Sequence, residues 1–342
     1  MEHAMHHSLA LLADKKNLPY DVAIRAFQII MNGGATPAQI AAFLMGLRIK
    51  GESVEEISAG AEAMRIKARP FKSVAGSIDT CGTGGDSRGT YNISTTTAFV
   101  LAACGLPVVK HGNRSVSSRS GSADVLSVLG VKTDCEPEVA ERCLREYGIA
   151  FLFAPKFHTA MRHVAPIRSE LALRTVFNIL GPLTNPAKPD FQLLGVYNKS
   201  LLKPLAESLK SLGTKAAWVV HGSDGLDELT ITGNSSVVAL KNGEITEFEV
   251  SPSDADLPTT ILDDIKGGSP ETNASALIEA ISGVESPYRN AVVYNAAAGL
   301  VIAEKVDNLK DGAKLAKEAI DSGKAHSILK KLVDVSNSSM RA

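Results

Sequence analysis

The chain has 342 residues, of which 44% are hydrophobic and 21% charged, an ordinary globular composition with apolar material for a sizeable core. Its formal net charge of −1 gives no global attraction for nucleic acid or an acidic membrane surface, so an anion site must be built locally. No apolar run of about 18 residues reads as a membrane span and no signal-peptide pattern opens the chain. Four cysteines without CxxC spacing read as reduced thiols, and together these features predict a cytoplasmic protein.

Three amphipathic helical patterns, at 21–31, 37–50 and 54–67, are separated by Asn32-Gly33-Gly34 and Gly51-Glu52-Ser53. They predict a small all-helical domain over residues 1–72. His3, His6 and His7 precede them, and both a metal site and a frayed terminus are open readings there. From residue 73 to 342, short apolar strands near 78, 108, 149–153, 192–196 and 216–220 alternate with helices near 95, 123, 137, 201 and 277. That alternation predicts an α/β domain with a mostly parallel sheet covered by helices.

Two loops carry the chemistry. Ser77-Ile78-Asp79-Thr80 reads as the end of a strand, and Gly82-Thr83-Gly84-Gly85-Asp86 follows it. Closely spaced glycines let a backbone turn sharply and bring its N–H groups to an anion. Asn92-Ile93-Ser94-Thr95 then offers side-chain oxygens for a helix N-cap, at the helix end where phosphate is favoured. A plain glycine turn before a capped helix is the other reading of this loop by itself. The second loop weighs against it. Leu106-Pro107-Val108-Val109 reads as a buried strand ending at Lys110, and Lys110-His111-Gly112-Asn113-Arg114-Ser115-Val116-Ser117-Ser118 emerges from it. Ligands of open α/β sheets bind at that strand end. Ser115, Ser117, Ser118, Ser120 and Ser122 supply more hydroxyls than one turn needs, and a polar linker fits poorly because helical apolar spacing resumes at Ala123. Two such loops suggest a single anionic ligand.

GTGGD, NIST and KHGNRSVSSRSGSAD resemble the motifs of the anthranilate phosphoribosyltransferase family, and the likeness covers most of the chain in order. Ala35 to Leu44 resembles its N-terminal helix, and Phe153-Ala154-Pro155 with His158, Met161, His163, Pro166 and Arg168 its second block. Arg174-Thr175-Val176-Phe177-Asn178 through Gly181-Pro182-Leu183-Thr184-Asn185-Pro186 is similar to the third, Gly225-Leu226-Asp227-Glu228-Leu229 to the acidic metal motif, and Tyr294 to Ala298 to the C-terminal signature. Ser87, Tyr91 and Asn290 depart from the common pattern, and serine tolerates positive φ less readily than the glycine usual at position 87.

The resemblance implies transfer of a phosphoribosyl group from phosphoribosyl pyrophosphate to the amine of anthranilate, in a cleft between the two domains. Segments at about 168–190 are then expected to return to the small domain. The implied donor-binding residues are Gly82, Gly85, Asp86, Thr90, Asn92, Ile93, Ser94, Thr95, Lys110, His111, Gly112, Asn113, Arg114, Ser115, Val116, Ser117, Ser118 and Ser122. Gly82, Asn113, His111, His158, Met161, Pro182 and Arg168 are implied for anthranilate, with the Arg168 guanidinium matching its carboxylate. Ser94, Asp227 and Glu228 are implied for Mg2+. An aryl amine is uncharged at neutral pH, so no catalytic general base is expected. His158 and His163 are five apart, which argues against zinc on one helical face. A homodimer through the N-terminal helices is also expected from the likeness. A pyrimidine nucleoside phosphorylase is the alternative enzyme, and its second loop differs from this one. A nucleic-acid-binding relative would need a basic stripe, which the pI near 6.7 does not suggest.

Overall fold

The computed structural model describes residues 2–115 and 119–338. Four helices open the chain: α1 (Glu2–Ala13), α2 (Tyr20–Met31), α3 (Pro37–Lys50) and α4 (Val54–Lys67). Thr36 and Ser53 each close a capping box, with Gln39 and Glu56 as their partners three residues on, which fixes where α3 and α4 begin. Helix α1 lies outside the sequence expectation. Its apolar positions Met5 and Leu12 are buried with Ser8 on one face, while His3, His6 and His7 point to solvent. The histidines masked a helical spacing, and among the described residues no cluster of three or more His, Cys, Asp or Glu could hold a metal.

Glu56 secures this bundle. Its carboxylate is fully buried and accepts from the Ser53 and Leu18 amides at 2.7 and 2.8 Å and from Lys50 Nζ at 2.8 Å. Every oxygen of a buried charge is thereby partnered, as such burial requires.

A seven-stranded sheet follows, in the order β3-β2-β1-β4-β5-β6-β7. Its strands are β1 (Ile78–Gly82), β2 (Val108–Gly112), β3 (Ile149–Phe153), β4 (Phe191–Gly195), β5 (Ala216–Gly222), β6 (Ser235–Lys241) and β7 (Glu244–Val250). The first five pair in parallel and the last two are antiparallel. The antiparallel hairpin is absent from the sequence expectation, although Asn242-Gly243 marks it: both residues have positive φ, at 51° and 81°, as a tight two-residue hairpin turn demands.

Alternate strand residues face opposite layers. On one face Ile78, Leu193, Val220 and Val237 pack with α5 (Ile93–Ala103) and the C-terminal helices. On the other, Leu194, Val219 and Val238 join the same core as Phe27, Phe43 and Leu47 of the helical bundle. Between β2 and β3 lie α6 (Ser122–Val128) and α7 (Pro137–Tyr147), and β3 leads to α8 (Ala154–Phe157). Helices α9 (Ala165–Leu171) and α10 (Phe177–Leu180) then pack back on α3 and α4, so Ile167, Phe177 and Leu180 belong to the bundle's core. After β4 comes α11 (Leu202–Ser211), and after β7 the helices α12 (Pro270–Ile281), α13 (Pro287–Ile302), α14 (Leu309–Asp321) and α15 (Lys324–Asn337). Among the described residues no helix is long and apolar enough to cross a membrane.

Glu56→Ala should cost about 3 kcal/mol, because it leaves two amides without an acceptor and the buried Lys50 ammonium without a counter-charge, with only Asn17 and the Gly51 carbonyl still accepting from it. Urea unfolding checks this, and a loss below about 1 kcal/mol would show the cluster to be dispensable.

Candidate active site

The chain leaves β1 toward β2 on one side, whereas β4 and β5 extend the sheet on the other, so the strand order reverses between β1 and β4. Ligands of such sheets bind in the crevice beyond the C-terminal ends of those strands. Both strands end there in glycine, with Gly82 and Gly195 paired in register. A Cβ on Gly82 would lie 2.3 Å from Asp227 Oδ2, and one on Gly195 would lie 1.6 Å from the Asp227 carbonyl oxygen. The turn carrying Asp227 and Glu228 therefore rests directly on the two strand ends.

The glycine loop is then fixed from several directions. Thr83 N donates to the Gly195 carbonyl at 2.9 Å, Gly84 N to Asp227 Oδ2 at 2.7 Å, and Tyr197 N to Thr83 Oγ1 at 3.1 Å. Ser87 does take the left-handed conformation, at φ 60°, where glycine was expected to be easier. Gly82 closes the strand itself, so the loop begins one residue later than the sequence suggests.

At the start of α5, the Ser94 amide donates to Glu228 Oε1 at 3.1 Å, so the positive helix end faces a carboxylate. Lys110 and His111 lie within β2 instead of beyond its end, and both are buried. The Lys110 ammonium donates to the Thr80 carbonyl at 2.6 Å and to Ser94 Oγ at 3.3 Å. Burial pushes Glu228 up to about 7, partly offset by Lys110 and the bonds from Ser94. Burial, followed by repulsion from Asp86 and Glu228, holds Asp227 well above the usual carboxylate range. Crowded carboxyl oxygens beside a serine hydroxyl form a hard donor set of the kind magnesium prefers.

The second loop is tied to the first by Asn92. Its side chain makes no N-cap bond, contrary to the sequence reading. Instead Nδ2 donates to the Ser120 carbonyl at 3.2 Å, while Oδ1 accepts from Ser120 Oγ at 3.3 Å and from Asn273 Nδ2 at 2.9 Å. The competing partners are distant in sequence, on the second loop and on α12, which no local pattern shows. Ile93 and Thr95 are buried, and Thr90 forms an isolated bridge with Lys266. A Cβ on Gly112 would lie 2.2 Å from Ser122 Oγ, and that hydroxyl donates to the Asn113 carbonyl at 3.3 Å. Asp124 gathers the loop: it accepts from the Ser115 and Gly121 amides at 2.8 and 2.9 Å and pairs with Arg114 at 3.7 Å. Val116, Ser117 and Ser118 lie outside the described residues.

On the opposite side, the rings of His111 and His158 meet edge to face at 5.1 Å. The first bonds the Gly181 carbonyl and the second that of Thr184, beside Pro182, and each leaves a buried Nε2 unpartnered among the described residues. Burial lowers both imidazoles, His158 to about 4, so both are neutral at pH 7. Met161 lines a small depression with Met31, Met64 and His158. Arg168 stacks over Phe177 at 5.6 Å, and burial lowers its pKa.

Some members of the site escaped sequence reasoning. Asp79 is fully buried, its pKa raised to about 6 by burial, and accepts from Asn185 Nδ2 at 2.8 Å and the His111 amide at 3.2 Å. Asn185 also donates to the Val109 carbonyl at 2.7 Å, locking β1, β2 and the 181–185 turn together. A polar residue inside an apolar strand pattern, as in Ser77-Ile78-Asp79, was the available signal.

This architecture is that of a glycosyl transferase built from a helical bundle and an α/β domain. Residues 7–68 match the family described as "Glycosyl transferase family, helical bundle domain" and residues 75–326 its "a/b domain". An anthranilate phosphoribosyltransferase of Rhodospirillum rubrum is 52% identical over 96% of this chain and 94% of its own length. The crystal structure of the Thermus thermophilus enzyme of that name superposes with a TM-score of 0.92 at 42% identity, covering 97% of this chain and 99% of that one. The Saccharomyces cerevisiae enzyme, solved in complex with PRPP and Mg, gives 0.89 at 27% identity over 98% of both chains. The chain belongs to the anthranilate phosphoribosyltransferase family.

The two histidines carry a pH signature. A base whose folded pKa is depressed supports stability above its unfolded value near 6.5, and that support drains as pH falls toward about 4. Asp79 and Glu228 act in the opposite sense, gaining stability on protonation below about 6 and 7. The difference between His158→Gln and the parent isolates one imidazole. Between pH 7 and 5 the parent should lose on the order of 2 kcal/mol more than the variant by urea unfolding. Identical pH slopes would mean that His158 titrates normally.

Proposed function

We propose that this chain transfers the phosphoribosyl group of phosphoribosyl pyrophosphate to the amine of anthranilate, releasing pyrophosphate, as a step of tryptophan biosynthesis. The observation that carries this reading is the Asp227-Glu228 turn seated on the paired strand-end glycines, beside a main-chain loop suited to phosphate. Gly82, Gly85, Asp86, Thr90, Asn92, Ile93, Ser94 and Thr95 form the diphosphate and ribose side. Gly112, Asn113, Arg114, Ser115, Ser122 and the 116–118 stretch take the remaining phosphate, with Lys110 and His111 behind them. Lys110 also offsets the buried charge of Glu228, which its position beside Ser94 supports.

Asp227, Glu228 and Ser94 hold Mg2+ in this reading, supported by their hard-oxygen chemistry and raised proton affinity. When bound, the cation neutralises charge on the departing diphosphate. Anthranilate lies on the neutral side of the cleft, its carboxylate on Arg168 and its ring against His111, His158, Met161 and Pro182, with Gly82 and Asn113 near the amine. Neutral imidazoles suit this task, since a buried Nε2 lone pair can accept from an amine N–H without adding charge. The amine attacks with its own lone pair, so positioning and electrostatics do the work that a general base does elsewhere.

We also propose a small domain of residues 1–72 against a large one of 73–342, with the segments at about 168–190 returning to the former, which the packing of α9 and α10 on α3 and α4 supports. A two-fold dimer through the bundle is supported by the exposed Ile49 and Ile66 on α3 and α4. A cytoplasmic setting is supported by four free thiols.

Loss of anthranilate fluorescence on mixing with phosphoribosyl pyrophosphate and magnesium tests the activity, and folded protein without turnover would sink it. Arg168→Ala should raise the anthranilate KM at least about tenfold, since a charge-assisted contact is lost. Asp227→Asn with Glu228→Gln should instead weaken magnesium dependence by a similar factor or more. Equal effects of both changes on both substrates contradict the division of the site. Sedimentation equilibrium should give a dimer, and a monomer at all concentrations refutes that part.

A further inference from the structure

The geometry points to Arg174 as a positioning residue that holds the glycine loop in its anion-binding shape and ties that loop to the strap bearing Arg168. Its Nη2 donates to the Gly85 carbonyl. Its Cζ lies 4.2 Å from the centroid of the Tyr197 ring, within cation–π range. The Tyr197 amide in turn donates to Thr83 Oγ1 at 3.1 Å, so the Arg174–Tyr197 stack grips the loop on both sides of Gly84.

The peptide plane explains why this grip matters. In a trans peptide the carbonyl of one residue and the N–H of the next point in opposite directions. Drawing the Gly85 carbonyl toward Arg174 therefore turns the Asp86 amide away from it. Gly85 sits at φ 78°, which glycine adopts about as readily as negative φ, and a Cβ there would approach Arg174 Nη2 to 3.2 Å. The guanidinium selects one orientation of a glycine-rich loop that would otherwise sample several.

Arg174 is also well placed to link the two halves of the site. It stands six residues after Arg168, past Ala172 in the left-handed conformation at φ 50°, and before α10, which packs on the helical bundle. Loop and strap thus share one anchor. The residue is exposed and lines a cavity of about 220 Å³ together with Arg48, Glu52 and Tyr197, so shortening it opens no hole in a packed core.

This inference rests on the function proposed above, and its test separates the two. Arg174→Gln should raise the KM for phosphoribosyl pyrophosphate about tenfold or more, while the anthranilate KM moves less than about twofold, the difference being one charged hydrogen bond plus a stack. Magnesium-supported binding of the donor, followed by calorimetry, should weaken by the same factor. Arg174→Lys should recover only part of the loss, because an ammonium can still meet the carbonyl but lacks the planar stack on the ring. Tyr197→Leu should weaken donor binding less, and the double variant should lose less than the two single losses combined, as expected for contacting residues. A donor KM unchanged in Arg174→Gln, equal rises in both KM values, or a fall of more than about 5 °C in the unfolding midpoint overturns the inference. A parent protein that turns over normally beside an unaffected variant refutes Arg174 alone, whereas an inactive folded parent refutes the function and this inference with it.

Discussion

The whole site depends on one close approach: the backbone of Asp227 against the C-terminal glycines of β1 and β4. With any side chain at Gly195 the turn would have to lift away by more than an ångström, because the blocking atoms are Asp227 backbone, while a side chain at Gly82 would displace the Asp227 carboxylate. From that seat Asp227 receives the Gly84 amide, Glu228 receives the Ser94 amide at the start of α5, and the Thr83 amide reaches back to Gly195. A sheet whose strand order reverses between these two strands leaves a crevice there, and the absence of two side chains lets main-chain donors and acidic groups share it.

Charge is distributed unequally across that crevice. On one flank lie Glu228, which is buried, and Asp227, which is half-buried; desolvation raises the proton affinity of both, with the Lys110 ammonium as an interior counter-charge for Glu228. On the other, His111 and His158 are held neutral by burial. An acidic flank suits a cation with polyphosphate, and a neutral flank suits a flat aromatic molecule.

Mechanical support comes from outside the sheet. The strap from 164 to 183 crosses from the α/β domain to the helical bundle, contributes Ile167, Phe177 and Leu180 to its core, and carries both Arg168 and Arg174. The bundle is itself pinned by the fully partnered Glu56. Movement of one domain relative to the other would therefore be felt by the strap and, through Gly85, by the loop.

Much of this was legible in the sequence. Short apolar runs alternating with helical spacing revealed the five parallel strands and the helices α2 to α7, α11 and α12; the glycine loops stood out by their composition, and the Asp227-Glu228 pair and the Arg168 block through the family resemblance. Helix α1 was hidden because polar histidines interrupt its short apolar stripe, and the β6–β7 hairpin was missed although Asn242-Gly243 announced it. What no local pattern could decide was who pairs with whom. Asn92 has the residue type of an N-cap yet bonds Ser120 and Asn273, Lys110 reads as a loop cation yet is buried against Thr80 and Ser94, and Asp79 finds Asn185 more than a hundred residues away. Spacing along a chain sets the period of a helix or strand because those contacts are local. Partners of a polar side chain depend on which distant backbones arrive beside it, and only the packed sheet and its returning strap determine that.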